Sequence, residues 1–183
     1  MKKLAIIFPG VGYHKDKPLL YYSSKLVKGL GYDVLYIEYS KLPDKIKGDA
    51  AKMKKAAEIA YFDAVTQLKD IDFIEYDDVV FIGKSIGTFT LAKYVSDNNI
   101  NARQIWYTPV EQTFSYPEGD IIAFIGDADP WSDVDKVKKM AADKGIPLYS
   151  YPACNHSLEC EDVDVNISNL QDVMKKTKGY LSI

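Results

Sequence analysis

The sequence predicts an α/β domain built on a mainly parallel sheet of about six strands, and three observations lead there. Short β-rich apolar runs recur along the chain with helix-length stretches between them, the alternation that strand–helix–strand units produce. Most of these runs are apolar throughout instead of alternating, as strands covered on both faces must be. The length, 183 residues, corresponds at about 100–200 residues per domain to one domain over 1–183. Surface scaling lets such a chain bury roughly 70% of its unfolded area, enough for a full core without disulfide or metal staples.

Taken in order, the first strand is Leu4–Phe8, closed by Pro9 and Gly10, and a helix follows over Leu19–Leu30. A second strand at Asp33–Ile37 leads through the lysine-rich stretch Lys45–Lys55, a loop and a solvated helix face, into a helix over Ala50–Leu68. The third strand, Val79–Ile82, passes directly into a helix over Ser85–Val95, and the fourth is Gln104–Tyr107. The polar and aromatic stretch Thr108–Asp120 is too brief for an inserted lid domain. Strands at Ile121–Ile125 and Leu148–Tyr151 alternate with helices over Val134–Lys144 and Asp164–Lys178. Several of the helices place apolar residues three and four apart, the period of a one-sided helix.

Composition narrows the function. With 47% hydrophobic and 27% charged residues the chain is neither disordered nor a membrane protein. A formal charge of −3 supplies no sequence-wide positive field, so nucleic acid is not an expected partner, although a local basic patch remains open. Lys2 and Lys3 precede an apolar run shorter than that of a signal peptide or a membrane span, so a soluble cytoplasmic protein without a membrane partner is expected. Cys154 and Cys160 then read as reduced thiols, and Asn155-His156-Ser157 and Asn166-Ile167-Ser168 as chance matches to a glycosylation sequon.

One segment carries the chemistry. Asp77 to Ala92 reads as strand, abrupt turn, helix, and the turn Gly83-Lys84-Ser85-Ile86-Gly87 spells G-x-S-x-G. Such a nucleophile elbow holds its central residue in strained geometry and brings strand and helix close together, so the flanking positions are nearly side-chain-free. Ser85 then projects its hydroxyl from the carboxyl edge of the sheet, and the Ile86 N–H at the start of the helix can donate to an oxyanion there. The bare pattern also suits an ordinary tight turn. Gly83-Lys84-Ser85 resembles the end of a phosphate-binding loop as well, but the residues that would wrap the phosphate, Val79-Val80-Phe81-Ile82, are the strand itself.

A serine hydroxyl needs a base, and the chain has two histidines. His156 follows the last strand and His14 follows the first, both at the same edge as Ser85. His156 is preferred, because the order nucleophile, acid, histidine then runs as in one known hydrolase class. The carboxylate that fixes the imidazole tautomer is sought in Gly126-Asp127-Ala128-Asp129-Pro130, after the fifth strand. Asp129, stiffened by the following proline, is preferred to Asp127, which suits a turn that bonds its own backbone.

These residues resemble the α/β-hydrolase family over nearly the whole chain, since in that family the serine elbow, the acid and the histidine follow successive strands, as Ser85, Asp129 and His156 do here. The resemblance implies a three-layer fold in a minimal form. The strand before the oxyanion loop is already the first strand read here, and there is no cap domain. It places the oxyanion loop at Phe8-Pro9-Gly10-Val11-Gly12, with the Val11 N–H as donor and Gly12 second; proline stands where the family usually has histidine. Tyr13 and His14 become candidate substrate contacts beside it, although His14 also suits a plain loop position. The implied activity is hydrolysis of a small carboxylic ester or related acyl compound through an acyl-enzyme. An acyltransferase, or a ligand-binding protein on the same fold, is the alternative. No cofactor is expected, since Gly10 and Gly12 supply only half of a dinucleotide fingerprint. No metal is expected either, because Cys154, His156 and Cys160 match no standard ligand spacing. The oligomeric state and the acyl and leaving groups stay open.

Overall fold

The computed structural model describes residues 1–182. Its elements run β1 (Lys3–Phe8), α1 (Pro18–Gly29), β2 (Asp33–Tyr36), α2 (Ala50–Leu68), β3 (Asp78–Lys84), α3 (Ile86–Asp97), β4 (Arg103–Tyr107), β5 (Asp120–Gly126), α4 (Val134–Asp143), β6 (Leu148–Tyr151) and α5 (Val163–Leu181). The six strands form one sheet in the order β2-β1-β3-β4-β5-β6, and every neighbouring pair is parallel. Most boundaries fall within a residue or two of those read from the sequence, and α5 extends three residues further at its end. Two short 3-10 turns, Phe73–Glu75 and Glu111–Ser115, lie in stretches that the sequence reading leaves irregular. In the second, Phe114 is buried edge-on against Trp106 with ring centroids 5.4 Å apart, so one aromatic anchor orders a polar segment.

The strands are apolar throughout because alternate residues enter different cores. Ile6, Phe8, Phe81, Trp106, Ala123 and Ile125 point to one face and pack with Ala64, Leu91 and Val137 from α2, α3 and α4. Ile7, Val80, Ile82, Ile105, Tyr107 and Phe124 point to the other and pack with Leu20, Val27, Val173 and Leu181 from α1 and α5. The result is three layers, helices on both sides of the sheet, and each fully buried large side chain contributes about 1.5–3 kcal/mol of transfer free energy. The Tyr107 hydroxyl, wholly buried, is bonded to Ser23 of α1 (2.9 Å) and Thr177 of α5 (3.0 Å), which satisfies its polar atom and ties these helices to β4.

This topology also makes the crevice. From β1 the chain moves outward to β2 through α1 on one face, then returns to β3 through α2 on the other. The loops leaving the carboxyl ends of β1 and β3 therefore part to opposite faces, and a ligand crevice opens between them.

Candidate active site

Ser85 sits between β3 and α3 with φ 56° and ψ −122°. A non-glycine residue in such a region carries on the order of 1–3 kcal/mol of strain, so the surroundings must hold it there. They do so from both sides. The Ser85 N–H donates to the Tyr107 carbonyl (3.0 Å), and the Ser85 carbonyl accepts from the Thr88 N–H (2.8 Å) and hydroxyl (2.6 Å). A Cβ on Gly87 would stand 2.4 Å from the Phe8 carbonyl oxygen, and one on Gly83 2.4 Å from Leu91 Cδ2. Both positions need glycine for close approach.

His156 Nε2 lies 2.8 Å from Ser85 Oγ, and its Nδ1 lies 2.6 Å from Asp129 Oδ2. A carboxylate at Nδ1 keeps the proton on that nitrogen, which leaves Nε2 free to accept one from the serine. The Asp129 side chain is completely buried, and its second oxygen accepts from the Trp131 N–H at 2.9 Å. The Trp131 indole stacks on the imidazole, with centroids 5.6 Å apart and planes 27° from parallel. Burial pushes the His156 pKa below its ordinary value; the bond to Asp129 opposes that shift, and the positive charge of Lys84 adds to it.

The loop that carries His156 is knitted by Asn155, whose side-chain oxygen accepts from the Ser157 N–H at 2.7 Å. It rests directly on the end of β5, where a Cβ on Gly126 would lie 2.2 Å from the Cys154 carbonyl oxygen. The sequence offered Gly126 only as the residue before the acidic loop, and its role in seating the histidine loop was not read. The two thiols in this stretch, Cys154 and Cys160, are free.

The remaining residues divide. Asp127 turns away and pairs with Lys138 at 2.9 Å. His14 is a correction: its side chain is 62% exposed beside Asp16, and it borders an adjoining groove with Asp16 and Pro43 that shares Val11 and Gly12 with the Ser85 cavity, whose own lining does not include His14. The turn Gly10–Tyr13 explains this, because reciprocal backbone bonds between Gly10 and Tyr13 (3.0 and 3.2 Å) pull Tyr13 inward and leave the next residue outside. Tyr13 is buried, accepts from the Leu19 N–H at 3.1 Å and lines the pocket. Val11 and Gly12 form the tip of that turn, and Gly10 beneath them is packed so closely that a Cβ there would stand 3.3 Å from Ser85 Cβ. Among the described residues the Val11, Gly12 and Ile86 N–H groups have no backbone acceptor, and all of these residues line the cavity that holds Ser85 and His156.

That cavity measures about 540 Å³. Its walls include Ile46, Ala50, Met53 and Ala57 from the start of α2 and the loop before it. Lys84 also lines it, with its side chain buried and its Nζ 4.9 Å from the centre of the Tyr13 ring. The sequence marks this position as the variable residue of the elbow and as the lysine of the phosphate-binding-loop alternative. Nothing in the local pattern signals that a lysine at a strand end folds back under the site. A larger groove, about 840 Å³, lies at the opposite edge of the sheet and is bordered by no serine, cysteine or histidine. No helix among the described residues is long and apolar enough to cross a membrane.

No protein-family model and no curated protein matches the sequence. Solved structures do match in shape. An α/β serine hydrolase homologue from Coxiella burnetii superposes with a TM-score of 0.68 at 16% identity, over 96% of this chain and 84% of that one. The Pyrococcus furiosus esterase Pf2001 gives 0.69 at 13% identity, over 99% and 82%. The α/β-hydrolase domain-containing protein 10 from mouse gives 0.71 at 9% identity, over 97% and 89%. Together with the parallel sheet order and the helices on both of its faces, these likenesses establish that the protein has the α/β-hydrolase fold, in a six-stranded form without a cap domain among the described residues.

Proposed function

We propose that the protein is a serine hydrolase that cleaves small carboxylic esters through an acyl-enzyme. The observation that carries this reading is the unbroken chain Ser85 Oγ to His156 Nε2, His156 Nδ1 to Asp129 Oδ2, at 2.8 and 2.6 Å, opening into a cavity lined by Val11, Gly12 and Ile86. In the first half-reaction Ser85 Oγ bonds to the ester carbonyl carbon while its proton passes to His156 Nε2. The tetrahedral oxyanion is held by the Val11 and Ile86 N–H groups, with Gly12 beside them; the first turn of α3 adds its positive dipole end. Collapse breaks the ester C–O bond, and the proton on Nε2 leaves with the alcohol. Water then attacks the acyl-enzyme, gives its proton to His156, and the acid departs as that proton returns to Ser85. Asp129 stays ionised throughout and stabilises the imidazolium.

The test is turnover of p-nitrophenyl esters from C2 to C16. Each methylene contributes about 0.8 kcal/mol only while the cavity encloses it, and the described residues include no inserted domain to close over a longer chain. kcat/KM therefore peaks among the shorter chains, with no jump when substrate forms micelles. A peak at C12 or beyond contradicts the capless account of the site, and no turnover of any member contradicts the hydrolase reading.

A further inference from the structure

Lys84 stands apart from the machinery just described. Lys84 is 1% exposed, its Nζ makes no hydrogen bond or ion pair among the described residues, and the centre of the Tyr13 ring lies 4.9 Å from it. Buried ammonium groups are strongly disfavoured unless they are paired. This one borders the Ser85 cavity, whose lining includes Lys54 as well and no aspartate or glutamate. Lys47 lies 5.4 Å from the ring centre of Trp131, which lines the cavity. In a chain of net charge −3, the only charged side chains among the described residues that line this cavity are thus lysines, with the Asp129 carboxylate set behind His156. The rest of the lining is largely apolar.

We propose that the Ser85 pocket selects esters that carry an ionised carboxylate, and that Lys84 is the group that binds it. The substrate class is an acyl compound with a second acid group, such as a monoester of a dicarboxylic acid or an ester of a hydroxy acid. The inference rests on the hydrolase reading and adds to it the charge of the substrate. Burial lowers the Lys84 pKa to about 7 in the empty site, against the pull of Asp129 and Glu159. The groups that face it are Tyr13 from the loop after β1, Asp129 from the loop after β5, and His156 and Glu159 from the loop after β6. A bound carboxylate supplies the missing partner, so the anion binds best to the protonated form. Since kcat/KM reports the free enzyme, the preference for an anionic ester declines as pH rises through Lys84's own titration. His156 acts on charged and neutral esters alike, so its titration cancels in their ratio.

Two matched pairs test this. Mono-4-nitrophenyl adipate against 4-nitrophenyl 6-methylheptanoate places the carboxylate, or an isopropyl group of the same shape, on the acyl side. 4-Acetoxybenzoate against 4-isopropylphenyl acetate places it on the alcohol side. At pH 6 the expected result is a ratio of kcat/KM values of at least about tenfold in favour of the anion in one pair, the low end for a hydrogen bond to a charged group. In the wild type that ratio falls towards one by pH 9. Lys84→Met removes it at pH 6 in protein shown to be folded by circular dichroism. Both neutral esters hydrolysed as fast as their anionic partners, or a preference that is unchanged from pH 6 to 9, overturns the proposal while leaving the hydrolase reading standing. No turnover of any of these esters, with Ser85 unreactive toward a fluorophosphonate, overturns both.

Discussion

Ser85→Ala reduces ester turnover to the background of the uncatalysed reaction while the protein stays folded. The substitution removes one oxygen that is bonded to His156 Nε2 at 2.8 Å, and alanine can occupy the same backbone geometry without a new contact. The elbow itself is held by backbone and Thr88 contacts that do not involve the serine hydroxyl, so the unfolding midpoint changes little. The oxyanion donors remain in the variant, but without a nucleophile they hold a carbonyl that nothing attacks. Wild-type rates in Ser85→Ala would place the nucleophile elsewhere in the chain.

His156→Ala lowers kcat/KM by at least ~10²-fold, the lower end of what general acid–base catalysis supplies. His14→Ala leaves the rate near wild type, because His14 is exposed beside Asp16 and outside the Ser85 cavity. The pH profile carries the same argument. Burial lowers the His156 pKa, so the imidazole stays neutral and able to accept a proton to more acid pH than a free histidine, whose value is about 6.5. The acid limb of kcat/KM for a neutral ester therefore falls below that value, with activity lost as pH drops and Nε2 becomes protonated. A larger loss from His14→Ala, at equal folded fraction, would show that the base has been misassigned.

Much of the fold is legible because parallel strands advertise themselves twice, as runs such as Val79-Val80-Phe81-Ile82 that are apolar on both faces and as turns that must be tight where a helix follows at once. The meeting of Ser85, Asp129 and His156 at one edge is legible for the same reason, since each lies just past a strand that ends there. What escaped depends on where a side chain points after its strand ends. Tyr13 and His14 are adjacent, and only the bonds that close the Gly10–Tyr13 turn decide which enters the pocket. Trp131 stacks on His156 across a loop whose path local sequence does not specify. Lys84 looks like a surface residue by type and is buried because its strand ends in the core of the sheet, between β1 and β4. The start of α2 walls the pocket through Met53 and Ala57, which the sequence pattern marks only as one side of a lysine-rich helix.

The measurement that bears most directly on the central claim is covalent capture by a fluorophosphonate probe, read by mass spectrometry of the labelled peptide. Loss of fluoride to an attacking oxygen requires a serine activated by its neighbours, and a pocket that merely binds ligands does not supply one. The account predicts one adduct per chain, on Ser85, absent from Ser85→Ala and strongly slowed in His156→Ala. Folded wild-type protein that remains unlabelled, or that carries the adduct on another residue, would contradict it.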